Sequence, residues 1–301
     1  MAYKYIKRSI PDRLFEFFNY VFMAALIIVM IYPFWNTITV SLNDAMDSIK
    51  GNLYLFPREF TFYNYQSLFT SSKLLDAFWI SVSKTLLVTI FNVFFSSLAA
   101  YILSRKDFIL KKFLTIFLVA TMYVNAGLIP QYFLYRDLGL INKYWVYILP
   151  AMIGAFNVIV IRTFMNTLPD SLAESAKIDG AGDFRIFLQI IMPLCKPVLA
   201  TVALWVAVGA WNEWFDTYIF ASSKQELSTL QYEMMKLLSS SMVQSGAQNP
   251  NLVAQTSGSG MITPNSIRAA ITIIAALPII FVYPFLQKYF VAGLHLGGVK
   301  G

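Results

Sequence analysis

The chain has 301 residues, 57% hydrophobic and 13% charged, with 23 Lys and Arg against 16 Asp and Glu for a formal charge of +7. A soluble domain carries charge on about a quarter of its residues, whereas the apolar residues here gather in charge-poor runs near the roughly 20 that a bilayer-spanning helix needs. The composition excludes a soluble domain. Because the basic residues flank apolar runs, the positive balance marks membrane orientation and not nucleic acid. A single cysteine, Cys195, and a single histidine, His295, exclude an internal disulfide framework and a zinc site built from several such ligands.

The N-terminal stretch MAYKYIKRSIPDRLFEFF is basic, and no small-residue cleavage site follows the next apolar run. It reads as a retained first helix and not as a signal peptide. Six spans are predicted, at 17–42 with a kink at Pro33, then 77–103, 113–135, 144–164, 198–220 and 267–291. The fold class is all-α polytopic: one membrane domain over 17–291, a segment 1–16 before it and a tail 292–301 after it. An even number of spans puts both termini on one side. The turn 104–112 packs Arg105, Lys106, Lys111 and Lys112 together, against a sparser set on the opposite side that includes Lys84. Both termini are therefore expected in the cytoplasm of a bacterial plasma membrane. The longest external loop is then 221–266. Its later part, 239–260, is polar and low in charge, which suits either a flexible segment ordered by a partner or a passive loop.

The stretch 165–197 is unlike a simple connector. Pro169 suits a first helical turn, and Ser171 and Glu174 have capping-box spacing. A short helix over 170–179 is expected, ended by Gly180. A second helix from Asp183 stops before Pro193. Ala173, Ala176, Gly180 and Ala181 are small enough for another surface to approach closely. The loop is thus either a plug for a cleft in a second protein or an amphipathic helix lying on lipid.

Glu174-Ser175-Ala176, Gly180, Ile190 and Pro193 resemble the EAA motif of ABC importer permeases, keeping every spacing, with Ser175 and Met192 as mild departures. Leu98-Ala-Ala-Tyr-Ile-Leu-Ser-Arg105, Gly127-Leu-Ile-Pro130, Trp211-Asn-Glu-Trp214 and the tail from Gln287 resemble the MalG-like carbohydrate branch, nearest its complex and uronic oligosaccharide subgroup. The resemblance implies a type I importer (MetI-like) permease fold that is not itself an enzyme. It implies a MalF-like second permease, two copies of an ATPase and an extracellular solute-binding lipoprotein as partners. No P-loop is present in the sequence, so ATP and Mg2+ are expected on the ATPase, with no cofactor on this chain. By the same resemblance the ATPase-coupling residues are Glu174, Ala176, Asp179, Gly180, Ala181, Phe184 and Pro193. Glu174 would cap the helix or pair with an ATPase base, and Phe184 and Pro193 would fix the second helix against the membrane domain.

For the substrate path the candidates are Trp211, Asn212, Glu213 and Trp214, with Asp216 near the external end and Asn125 and Asn157 as weaker members. Aromatic faces stack on sugars and polar groups bind hydroxyls, and an ionisable residue within a span is a site hypothesis by default. An interfacial aromatic belt is the other reading. Gly154, Ala155, Gly209 and Ala210 are either close-packing positions or filler. A permease for a non-sugar solute and a proton-coupled secondary transporter using Glu213 and Asp216 are the alternatives. The latter leaves the 165–197 loop unexplained. A membrane hydrolase would need a nucleophile, base and orienter that the sequence does not group.

Overall fold

The computed structural model describes residues 10–51, 53–69, 72–247 and 263–296. Most of the 1–16 segment, Gln248 and the rest of 248–262, and the end of the tail lie outside them. The chain divides into two compact units, residues 1–70 with 240–274 and residues 71–239 with 275–301. Among the described residues the regular structure is helical, with one isolated bridge between Asn43 and Phe60.

Among the described residues three helices are long and apolar enough to cross a bilayer: α1 (Ile10–Ser41), α4 (Ser72–Ser104) and α14 (Pro264–Leu296). The remaining predicted spans are broken. α5 (Lys111–Tyr123) and α6 (Leu128–Asp137) meet at 118°. Two 3-10 turns, Tyr144–Tyr147 and Leu149–Ala151, lead at 42° into α7 (Ala155–Met165). A helical run from Asp183 to Leu194 meets α11 (Lys196–Asn212) at 82°. If each bent pair is one span, the count is six.

The span expected over 113–135 is thus a bent pair. Its break has a local cause: Asn125 Oδ1 accepts the Gly127 N–H at 2.9 Å, and Gly127 takes φ +86°, which favours glycine. The expected span 198–220 likewise stops at Asn212 and resumes as α12 (Phe215–Phe220).

In the first unit, α1 buries only Thr39 and Ser41, so its apolar surface is left for lipid or partners. Its end is tied down by a polar knot with the short helices α2 (Ala45–Ile49) and α3 (Tyr63–Phe69). Asp44 caps α2, and Asn64 Nδ2 donates to the Ser41 and Asn43 carbonyls, both at 2.9 Å. Buried Asp47 accepts from Asn43 at 3.0 Å and from Arg58 Nε at 2.9 Å. Those bonds, the Asn43 one foremost, hold its pKa down at about 2.

In the second unit, α4, α7 and α11 enclose a core of Ala100, Tyr101, Val158, Ile161, Phe187 and Val202. Inside it Asn157 Nδ2 donates to Asn92 Oδ1 at 2.7 Å, and Trp205 Nε1 donates to Asn157 Oδ1 at 2.8 Å. Gly154 lies so close to Asn157 that an added Cβ would fall 2.8 Å from Nδ2, whereas Gly209 faces open space. The crowding at Gly154 thus comes from Asn157 of its own helix and not from another span. α13 (Leu230–Ala247) makes the first part of the 239–260 tract helical.

Candidate functional site

The 165–197 loop is built on α8 (Ser171–Ile178). The expected capping box does not form. Asp170 occupies the N-cap, Ser171 is the first helical residue, and no side-chain cap bond is made. Ser171 is thus one position too late to act as the cap, and the Asp170 carboxylate is bonded elsewhere: Lys106 Nζ donates to it at 2.5 Å. That bond holds Asp170 below the usual carboxylate range and raises Lys106.

The C-terminus follows the Schellman pattern. The Gly180 N–H donates to the Lys177 carbonyl at 3.0 Å, the Ala181 N–H donates to the Ala176 carbonyl at 2.9 Å, and Gly180 has φ +80°. Lys177 then reaches Asp183 at 3.3 Å, joining α8 to α9 (Asp183–Ile186). The helical run continues as a π-turn, Phe187–Ile191, and α10 (Met192–Leu194). It does not stop before Pro193, which sits in the first turn of α10, where its missing N–H costs little.

The small residues do not share one free face. Ala173 and Ala176 are buried against the unit's own core, and Ala181 packs on it. The hairpin surface left free is mixed: Leu172, Ile178 at 87% exposure and Phe184 at 58% stand among Ser171, Ser175 and Lys177. Phe184 and Pro193 are the residues expected to fix the second helix, and the Phe184 ring lies 6.2 Å from that of Phe187. Both are exposed, and Ile186 and Phe187 are the fully buried anchors. Glu174 and Asp179 stand in solvent. Behind α8 a cleft of about 530 Å³ is lined by Tyr101, Arg105, Lys106, Lys111, Asp170 and Glu174 among others.

At the other end of the unit lies the α11–α12 break. Trp211 is buried, and its Nε1 donates to the Ala275 carbonyl at 3.0 Å. The Glu213 carboxylate accepts the Phe215 N–H at 2.9 Å and the Asp216 N–H at 3.4 Å, capping α12. Both residues are therefore occupied in holding the break. Asn212 is exposed and accepts from Gln231 at 3.0 Å. Trp214 is half-buried, with the Phe215 and Tyr218 rings at 5.7 and 6.2 Å. Asn157 is consumed by the core bonds given above, and Asn125 by its turn.

Sequence reasoning misses Lys84 here. It is 2% exposed, its Nζ donates to the Glu213 carbonyl at 3.0 Å, and it lies 4.9 Å from the Tyr147 ring centre. The available signal is a lone lysine inside 77–103.

The family model described as "binding-protein-dependent transport system inner membrane component" matches residues 1–295. The chain belongs to this family. It is accordingly a multi-pass membrane permease, a transport component and not an enzyme, which works with a binding protein and an ATPase.

The permease is 35% identical to the polygalacturonan/rhamnogalacturonan transport system permease protein YtcP of Bacillus subtilis, over 96% of this chain and 99% of that one. It is also 35% identical to Protein LplC of the same organism, over 96% of each. A solved bacterial ABC transporter involved in import of the acidic polysaccharide alginate contains a chain that superposes with TM-score 0.82 at 27% identity, covering 95% of the permease and 99% of that chain. The similarity runs through both the α8 loop and the α11–α12 break.

Proposed function

We propose that this permease forms half of the translocation path of an ATP-driven importer of oligosaccharides, uronic ones above all, and that α8 couples it to the ATPase. The observation that carries the coupling role is the α8 hairpin itself. Its alanines are committed to the permease core and its C-terminus is closed by a glycine turn. Its free face presents Leu172, Ile178 and Phe184. A large aliphatic side chain exposed on a short, rigidly capped helix suits insertion into an apolar cleft of a partner. Glu174 and Asp179 flank that face, where bases on the ATPase would meet them. Gly180 and Ala181 hold the turn, Ala176 serves the hairpin from within, and Pro193 starts the α10 turn that follows it.

In this reading the partners are a second EAA-motif permease, two ATPase copies and an extracellular solute-binding lipoprotein. ATP and Mg2+ sit on the ATPase, and both termini are cytoplasmic. At the path, Asn212 and Trp214 offer an amide and an aromatic face to sugar, while Trp211 and Glu213 fix the backbone that carries them. The cargo is supported by relatives named for polygalacturonan/rhamnogalacturonan, melibiose/raffinose/stachyose and arabino-oligosaccharide transport, and by the alginate importer.

The test is uptake into vesicles containing the permease with its ATPase, sister permease and binding protein. Trigalacturonate should accumulate only with ATP, and faster than maltotriose. Equal uptake of both would remove the uronic preference, and uptake driven by a proton gradient without ATP would overturn the importer reading. Labelling of a Lys112→Cys chain, in a Cys195→Ser background, only from the cytoplasmic side checks the orientation.

A further inference from the structure

The α11–α12 break leaves the carbonyl end of α11 without helical partners. Helix C-termini carry partial negative charge and need donors or water. Lys84 supplies the donor. It sits 20 residues before Ser104 on α4, about 30 Å along the helix at 1.5 Å per residue, which is one hydrocarbon thickness from that end. A lysine buried there is expensive unless it is compensated. Four groups compensate it: the Glu213 carbonyl at 3.0 Å, the Tyr147 ring at 4.9 Å, and the nearby Glu213 and Asp216 carboxylates.

The Tyr147 ring is itself pinned. Its hydroxyl donates to the Leu227 carbonyl at 2.8 Å and meets Thr217 Oγ1 at 3.2 Å, and Thr217 is 3.0 Å from Thr229 Oγ1. The neighbouring positions on α4 repeat the pattern. Ser81 Oγ accepts the Leu230 N–H at 2.8 Å, which holds the start of α13, and the Tyr144 hydroxyl donates to Ser83 Oγ at 2.8 Å. One turn of α4 thus grips the α11 end, the 3-10 turn and the α13 start. Lys84 is the only member of the grip that acts through charge.

We propose that Lys84 is the positioning residue of the α11–α12 break: its ammonium holds the α11 carbonyl end and Tyr147 against α4, and so sets where Asn212 and Trp214 stand. The inference rests on the proposed function for the claim that these two residues face cargo. The grip itself does not.

The experiment has two arms. In the first, Thr217, which is fully buried, is changed to cysteine in a Cys195→Ser chain, and its reaction with a water-soluble maleimide is followed in membranes. Lys84→Met should speed labelling roughly tenfold, the scale expected for losing a bond to a charged donor, whereas Lys84→Arg should leave it slow. Should Lys84→Met be degraded, Lys84→Gln, neutral and one bond shorter, is read the same way.

In the second arm, ATP-dependent trigalacturonate uptake is measured in the full complex, with Thr217 and Cys195 intact. Lys84→Met should lower the maximal rate while leaving the half-saturating binding-protein concentration unchanged, and Lys84→Arg should restore the rate. A merely structural lysine would not give that split. Unchanged labelling in Lys84→Met, or equally fast labelling in Lys84→Arg, overturns the proposal. Faster labelling in a chain that transports no sugar under any condition leaves the grip standing and counts against the transport reading alone.

Discussion

The α8 hairpin and the α11–α12 break lie at opposite ends of the same three-helix core, and they are built by different means. The hairpin is made almost wholly of local bonds: a Schellman turn, a lysine reaching from Lys177 to Asp183, and alanines one turn apart facing the core. The break is made of distant ones. Lys84 and Glu213 are 129 residues apart, Ser81 and Leu230 are 149 apart, and Tyr147 and Leu227 are 80 apart. At the hairpin the functional surface is what the core leaves uncovered. At the break most of the conspicuous polar and aromatic groups are used up in holding the backbone, and the functional surface is the remainder.

The largest effect that sharpens this contrast is expected at the hairpin. Gly180 holds φ +80° with nothing within 4 Å of where a Cβ would sit. Gly180→Val therefore acts through backbone strain, of about 1–2 kcal/mol, and through its branches in any partner cleft. Sugar uptake should fall to background in cells matched for membrane expression, with insertion intact. If uptake stays near wild type, the turn has no coupling role.

The next effect concerns the shared core. Asn157→Ala removes the acceptor of Trp205 Nε1 and the main donor to Asn92 Oδ1. It should cost about 1–2 kcal/mol, seen as a melting temperature in detergent lower by a few degrees. An unchanged melting temperature with altered sugar selectivity would return Asn157 to the path.

A smaller effect separates cap from carrier at the break. The Glu213 carboxylate accepts two backbone N–H groups, which the glutamine oxygen can also do. Glu213→Gln should therefore keep uptake, while Glu213→Leu loses a cap worth about 1 kcal/mol. Loss of uptake in Glu213→Gln would favour the proton-carrier role.

These cases show what was legible in the sequence. The EAA spacing, the Gly180 turn and the second helix from Asp183 were readable because short-range chemistry makes them. The capping box failed because the helix starts one residue early, at Ser171, and the Asp170 carboxylate before it bonds Lys106, 64 residues away. Spans two and six came out as continuous helices, but the breaks at Gly127 and at Glu213–Trp214 lie inside apolar runs where hydropathy alone shows no interruption. Trp211 and Glu213 looked like path residues because an aromatic and an acid in a span are conspicuous. The structure adds a holding task that sequence does not show, through the bonds to Ala275 and to the α12 amides. Lys84 was visible as a charge, but its acceptor lies 129 residues away in sequence.

The smallest expected effect is electrostatic. The Lys106–Asp170 pair is exposed, and such pairs contribute little. Because Lys106 holds Asp170 below its ordinary value, the pair's contribution is present above that value and lost only as pH falls through the lowered one. On the alkaline side it is lost as pH rises through the raised value of Lys106. Retention of the ATPase by detergent-solubilised permease should therefore be the same at pH 5.5 and 7.5 in an otherwise identical buffer, an interval about one unit or more above the free carboxylate range. A marked fall at pH 5.5 that Asp170→Asn removes would show that the pair matters more than its exposure allows.

The central claim is that the permease meets its ATPase through the free face of α8. The most direct measurement places a photo-cross-linking phenylalanine analogue at Ile178, and in a separate chain at Tyr218, which is exposed at the break end. Both complexes are illuminated in membranes. The account predicts an ATP-modulated cross-link to the ATPase from position 178 and none from position 218. A cross-link from 218, or none from 178 while the ATPase still co-purifies, would contradict it.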